Sequence, residues 1–166
     1  MRRTLVLLTI AALATGAAEA AFGAVPVLLR TPGAELVELR GGNGRAVVAR
    51  RGSLNITVRS GRVRIVDLPA AGSPNLSDQC RRRARRVRPN AVEIVGTDIR
   101  CLIWSGQGGG AWQVILRGRG ISASGVVRGS LTLDAMNRGF PGRYRVADGD
   151  WQRWPRRVKT IPLDRR

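Results

Sequence analysis

Histidine is absent from the 166 residues, and lysine occurs once, at Lys159. Without an imidazole, the serine- and cysteine-based hydrolase arrangements lack their usual general base. Zinc loses its commonest nitrogen ligand, and two thiols alone do not complete a tetrahedral site. Acid is scarce as well: 11 carboxylates stand against 29 basic residues, for a formal charge of +18. Aromatic residues make up only 4% of the chain, and four of them are tryptophan. Cysteine appears twice, at Cys80 and Cys101. Beyond the first twenty residues no apolar run is long enough to span a bilayer.

That first stretch has three parts: Arg2 and Arg3, the apolar run "TLVLLTIAALAT", then the small residues "GAAEA". This is the pattern of a secretory signal peptide. It predicts a leader over residues 1–20, cut after Ala20 with Gly23 as the fallback, on the general secretory route. The apolar run is shorter than the roughly 20 residues that a spanning anchor needs. The expected location is therefore outside the cell or in its envelope. Loss of Arg2, Arg3 and Glu19 lowers the +18 charge by only one. GC-rich codons account for arginine over lysine, but not for arginine over aspartate and glutamate. In an exported chain the two cysteines are expected to pair. The Cys80–Cys101 loop of about 22 residues would restrict the unfolded chain by roughly 3 kcal/mol.

From Ser53 the pattern has period two. Leu54, Ile56 and Val58 alternate with polar residues, Ser60-Gly61 interrupts, and Val63 and Ile65 resume the alternation. The sequence predicts a β-hairpin there and a second one about Gly96-Thr97, with Ile99, Cys101 and Ile103 on one face. Trp112, Val114 and Leu116 form a further apolar face, followed by Ile121, Ala123, Val127, Leu131 and Leu133. Gly125 and Gly129 on that face predict a bend, a bulge or a close approach of another sheet. "VVARRG" followed by "GRVRI" is echoed by "ILRGRG" followed by "GSLTL". The one helix candidate, "LSDQCRRRARRV" with Ser77 as N-cap, carries mutually repelling arginines and is expected to be loop or short turns. The predicted organisation is an extension over 21–44 with a possible edge strand, a β domain over 45–147 with an arginine-rich loop at 80–90, and a basic tail over 148–166. The fold class is all-β: an antiparallel β-sandwich or partly closed β-barrel, with a short β-solenoid as the alternative.

The ordered set "GRVRIVDL", a cysteine leading an arginine-rich segment, "VGTDIRCLIW", "WQVILRGRGISASGVVRGSLTLD", Tyr144 and a Trp-Pro pair resembles a group of small exported β-proteins of high-GC bacteria that have no assigned activity. The resemblance covers residues 44–155. It implies an all-β fold and export, and it carries over no catalytic residue.

Glu35, Glu38, Glu93, Asp98, Asp134, Asp148 and Asp150 could supply a carboxylate pair for sugar hydrolysis. Asp98 and Asp148-Gly149-Asp150 read instead as turn residues, and the latter triplet lacks the oxygen-rich loop that calcium requires. No cofactor is expected. "GQGGG" and "RGRG" lack the strand-to-helix setting of a phosphate cradle. Trp151 and Trp154 are candidates for stacking on sugars, since indole offers a flat apolar face. The dominant chemistry is arginine, whose planar fork suits phosphate and carboxylate. Arg81, Arg82, Arg83, Arg85, Arg86 and Arg88 cluster in sequence, while Arg62, Arg64 and Arg128 lie opposite apolar strand faces. The chain reads as an exported, non-catalytic binding or structural module for anionic envelope polymers or an anionic membrane surface, with nucleic acid bound only as a nonspecific polyanion. A tryptophan-based carbohydrate-binding module and an unrecognised secreted hydrolase are the alternatives.

Overall fold

The computed structural model describes residues 34–67, 74–105, 111–135 and 142–164. The expected leader lies outside the described residues. In chain order the elements are β1 (Glu35–Asp67), β2 (Asn75–Leu76), α1 (Asp78–Arg83), β3 (Arg85–Arg88), β4 (Ala91–Trp104), β5 (Trp112–Asp134), β6 (Arg143–Val146), β7 (Gln152–Arg153) and β8 (Lys159–Pro162). Every pairing is antiparallel, and the eight strands form one sheet that does not close. A parallel solenoid is thereby set aside.

Drawn straight, the 33 residues of β1 would extend about 110 Å, far beyond a domain of this size. The register shows how the length is accommodated. β5 residues 112–127 pair with β1 residues 35–50 on one flank and with β1 residues 52–67 on the other. The sheet therefore folds over on itself, and its long strands pass from one layer to the next. One layer contains β6, 35–40 of β1, 121–127 of β5, 53–59 of β1, 97–104 of β4 and β2. The other contains β8, 129–134 of β5, 45–50 of β1, 112–117 of β5, 62–67 of β1, 91–95 of β4 and β3. Their inner faces share one core, in which Ile56, Ile99 and Ile121 join Val48, Val63, Leu116 and Leu133.

The fold line is written in glycine. Gly44 pairs with Gly118, Gly118 with Gly61 and Gly61 with Gly96, so one glycine from each of four neighbouring strand segments falls on one row. All four have φ between +138° and +149°, which side chains resist. A Cβ on Gly61 would lie 2.1 Å from the Arg117 carbonyl oxygen. Beside this row, Gly41, Asp98 and Gly120 take left-handed φ of +62°, +46° and +62°, and the phase of burial changes across it, from Val58 to Val63 and from Ile99 to Ile94, while β1 and β4 keep one register.

Neither predicted hairpin exists. Ser60-Gly61 and Gly96-Thr97 are bends inside continuous strands, and they lie against each other: Ser60 pairs with Thr97 and Gly61 with Gly96. A glycine with a change in the phase of alternation signals a turn or a bulged corner equally well. The face assignments themselves hold, since the apolar residues predicted to point inward along β1, β4 and β5 are buried. Gly125 is a site of close approach, where a Cβ would meet the Ser53 carbonyl oxygen at 2.0 Å. The echoed segments make the same passage through the layers: Val48, Val63 and Ile65 of the first and Leu116, Leu131 and Leu133 of the second are buried in the same layer.

Three boundaries are corrected. Residues 35–40 are not an edge extension but an interior strand between β5 and β6. Residues 80–90 are not a loop: they form most of α1 and all of β3. Residues 148–164 are no tail, because β7 and β8 add to the sheet and Trp154 and Leu163 are buried.

Candidate functional site

The arginine-rich segment is fastened at its start. Cys80, fully buried in α1, is disulfide-bonded to Cys101 of β4, with Cα atoms 4.8 Å apart. Ser77 does not cap the helix with its side chain. Its N–H donates to the Leu102 carbonyl, and its Oγ accepts from the Leu102 N–H. Asp78 in the first turn and Arg81 to Arg83 in the last suit the helix end charges.

The six clustered arginines divide by role. Arg83 donates to the carbonyls of Thr97 and Asp98, at 3.0 and 3.1 Å, and so satisfies the strand bend. Arg81 donates to the Leu76 carbonyl at 3.3 Å. These carbonyls carry no formal charge, and neither guanidinium has a carboxylate at ion-pair distance among the described residues. Arg82 on α1 and Arg85, Arg86 and Arg88 on β3 are exposed, with no carboxylate at ion-pair distance among the described residues. A groove of about 560 Å³ runs between this segment and β4, lined by Arg82, Arg83, Arg85, Val87, Glu93 and Val95. Val95 is 63% exposed and Val87 44%, giving the groove an apolar floor. Its one acid, Glu93, already accepts from Arg64 at 2.9 and 3.0 Å and lies 3.7 Å from Arg62.

From the groove the basic face continues across the sheet. Val95 stands opposite Arg62, Arg62 opposite Arg117 and Arg117 opposite Arg45, while Asp134 ends the row. Their inward neighbours Val63, Leu116 and Ala46 are buried, so these arginines occupy the outer face. Directly opposed like charges on neighbouring strands are destabilising. Arg45 was not among the arginines that sequence patterning placed on a strand face, because it precedes the first clear alternation. Its Nε is buried without a hydrogen-bond partner among the described residues.

Arg128 does not join this face. It pairs across the sheet with Arg51 and forms an ion pair with Asp164 at 3.6 Å. The two sugar-stacking candidates lie apart from this face and differ in exposure. Trp154 is buried against Gly42, where a Cβ would strike its ring at 2.2 Å. Trp151 is half-buried, with the Arg40 and Arg145 guanidinium carbons 4.4 and 5.0 Å from its ring centroid. Both arginines in turn engage Glu38. Asp98 belongs to the backbone bend. Among the described residues, no group of three or more Cys, Asp or Glu side chains could hold a metal ion.

Comparison with known proteins returns no matching family, no matching curated protein and no matching solved structure.

Proposed function

We propose that this chain is an exported, non-catalytic module that binds a linear polyanion along an arginine track. The observation that carries the reading is the row Arg62, Arg117 and Arg45, three arginines in direct register on adjacent strands. A fold gains nothing from such a row by itself, whereas a string of anionic groups would offset the repulsion. With strands about 4.8 Å apart, the face from β3 across β4 to the 45–50 segment of β1 measures roughly 19 Å. It can engage several successive charges of an envelope polymer. Forked guanidinium donors match phosphate and carboxylate oxygens without reading anything between them, so selectivity among polyanions should be low.

The test is retention on immobilised poly(glycerol phosphate), on a single-stranded oligonucleotide and on a neutral glucan as salt rises. Binding to the first two that falls steeply with salt, with the glucan ignored, supports the reading. Failure to bind either polyanion at low salt removes it. A sugar-binding reading through Trp151 and Trp154 has no support in the packing of those two rings.

A further inference from the structure

The fold has a second polar site, at the seam where its two layers fail to close. Lys159 stands opposite Leu133 on β8, and Ile161 opposite Leu131; both leucines are fully buried, so Lys159 and Ile161 share their side of the sheet, Ile161 half-buried and Lys159 exposed at the open edge. Tyr144 reaches the same seam from the other layer. It stands opposite Leu39, is 3% exposed, and donates its hydroxyl hydrogen to Gln152 Oε1. Lys159 Nζ donates to the Tyr144 Oη at 3.0 Å, joining the layers through one contact. These groups open onto a cavity of about 210 Å³, whose walls include Val146, Ile161 and Asp150.

An inward charge on an edge strand can serve simply to block the addition of another strand. Three features go beyond that role. No carboxylate lies within ion-pair distance of Lys159 among the described residues. Its ammonium keeps donors in excess of the one given to Tyr144. The cavity beside it sets the apolar Val146, Ile161 and Pro162 among polar walls. We infer that the seam binds a small aliphatic monocarboxylate, with its oxygens on Lys159 Nζ and its short chain against Val146 and Ile161. Asp150 on the cavity wall disfavours a dianion such as phosphate.

Because Lys159 is the only lysine, protein labelled with 13C-lysine and 13C-methyl isoleucine gives one lysine Cε–Hε correlation, and the Ile161 methyl signal reports from two residues further along the same strand. Butyrate should shift both signals with one saturable curve, while butylamine and inorganic phosphate at equal ionic strength should not. Tyr144→Phe keeps the ring and should weaken the butyrate response by about tenfold, the loss of one hydrogen bond that organises the ammonium. Lys159→Met should abolish the Ile161 shift. A response that never saturates, or that butylamine reproduces, would overturn the site and leave Lys159 as an edge guard. Arg62→Ser with Arg117→Ser leaves the seam intact, so a butyrate response retained in that variant is independent of the arginine track.

Discussion

At Gly61 the backbone has φ of +149° and the Arg117 carbonyl sits where a Cβ would go. Gly41 has φ of +62° with nothing within 4 Å of its own missing Cβ. The two therefore carry different predictions. Gly61→Ala should lower the unfolding free energy by on the order of 3 kcal/mol, since a disfavoured backbone and a contact with main chain combine. Gly41→Ala should cost about 1 kcal/mol, the left-handed penalty alone. Urea melts of the two variants measure the difference, and equal losses would contradict the account of the fold line. The sequence displays these glycines, but not that they align. Alignment depends on a register between segments far apart in the chain, which local alternation does not encode. Arginine at 83 is similar: its charge is visible in the sequence, yet its work on the Thr97 and Asp98 carbonyls requires β4 to bend beside it.

Among the elements, α1 is the least able to stand alone. Six residues are too few for a stable helix in water, and this one is held by the disulfide and by the exchange between Ser77 and Leu102. Replacing both Cys80 and Cys101 with alanine should reduce stability by about 3 kcal/mol. It should also raise hydrogen exchange at Arg81 to Ala84 while β4 and β5 stay protected. Loss of protection throughout the sheet would mean that the disulfide organises the whole core. The pairing of the two cysteines was legible from their number and the expected export. The short helix and edge strand were not, because repelling arginines argue for a loop and only tertiary anchoring reverses that. Strand faces were legible wherever Val, Leu and Ile alternate, since burial on one side of a pleat imposes period two. The ends of β1 and the role of β8 were hidden, because their strand character rests on partners and not on pattern.

For the molecule as a whole, the issue is whether its charge acts as a diffuse field or as a placed track. A net charge of +18 attracts any polyanion from a distance. The geometry adds placement, with Arg85 beside the groove and Arg62 and Arg117 in register across the sheet. The deciding measurement compares two variants with the same loss of charge. Arg62→Ser, Arg85→Ser and Arg117→Ser together strip the track, whereas Arg50→Ser, Arg51→Ser and Arg153→Ser together strip three exposed arginines elsewhere on the surface. Affinity for a single-stranded oligonucleotide is followed as salt is varied. The track variant should lose about 2 units of slope in log affinity against log salt, at about 0.7 per lost phosphate contact, and the other variant should keep nearly the wild-type slope. Equal slopes for the two variants would show that the field alone binds, and would contradict the track.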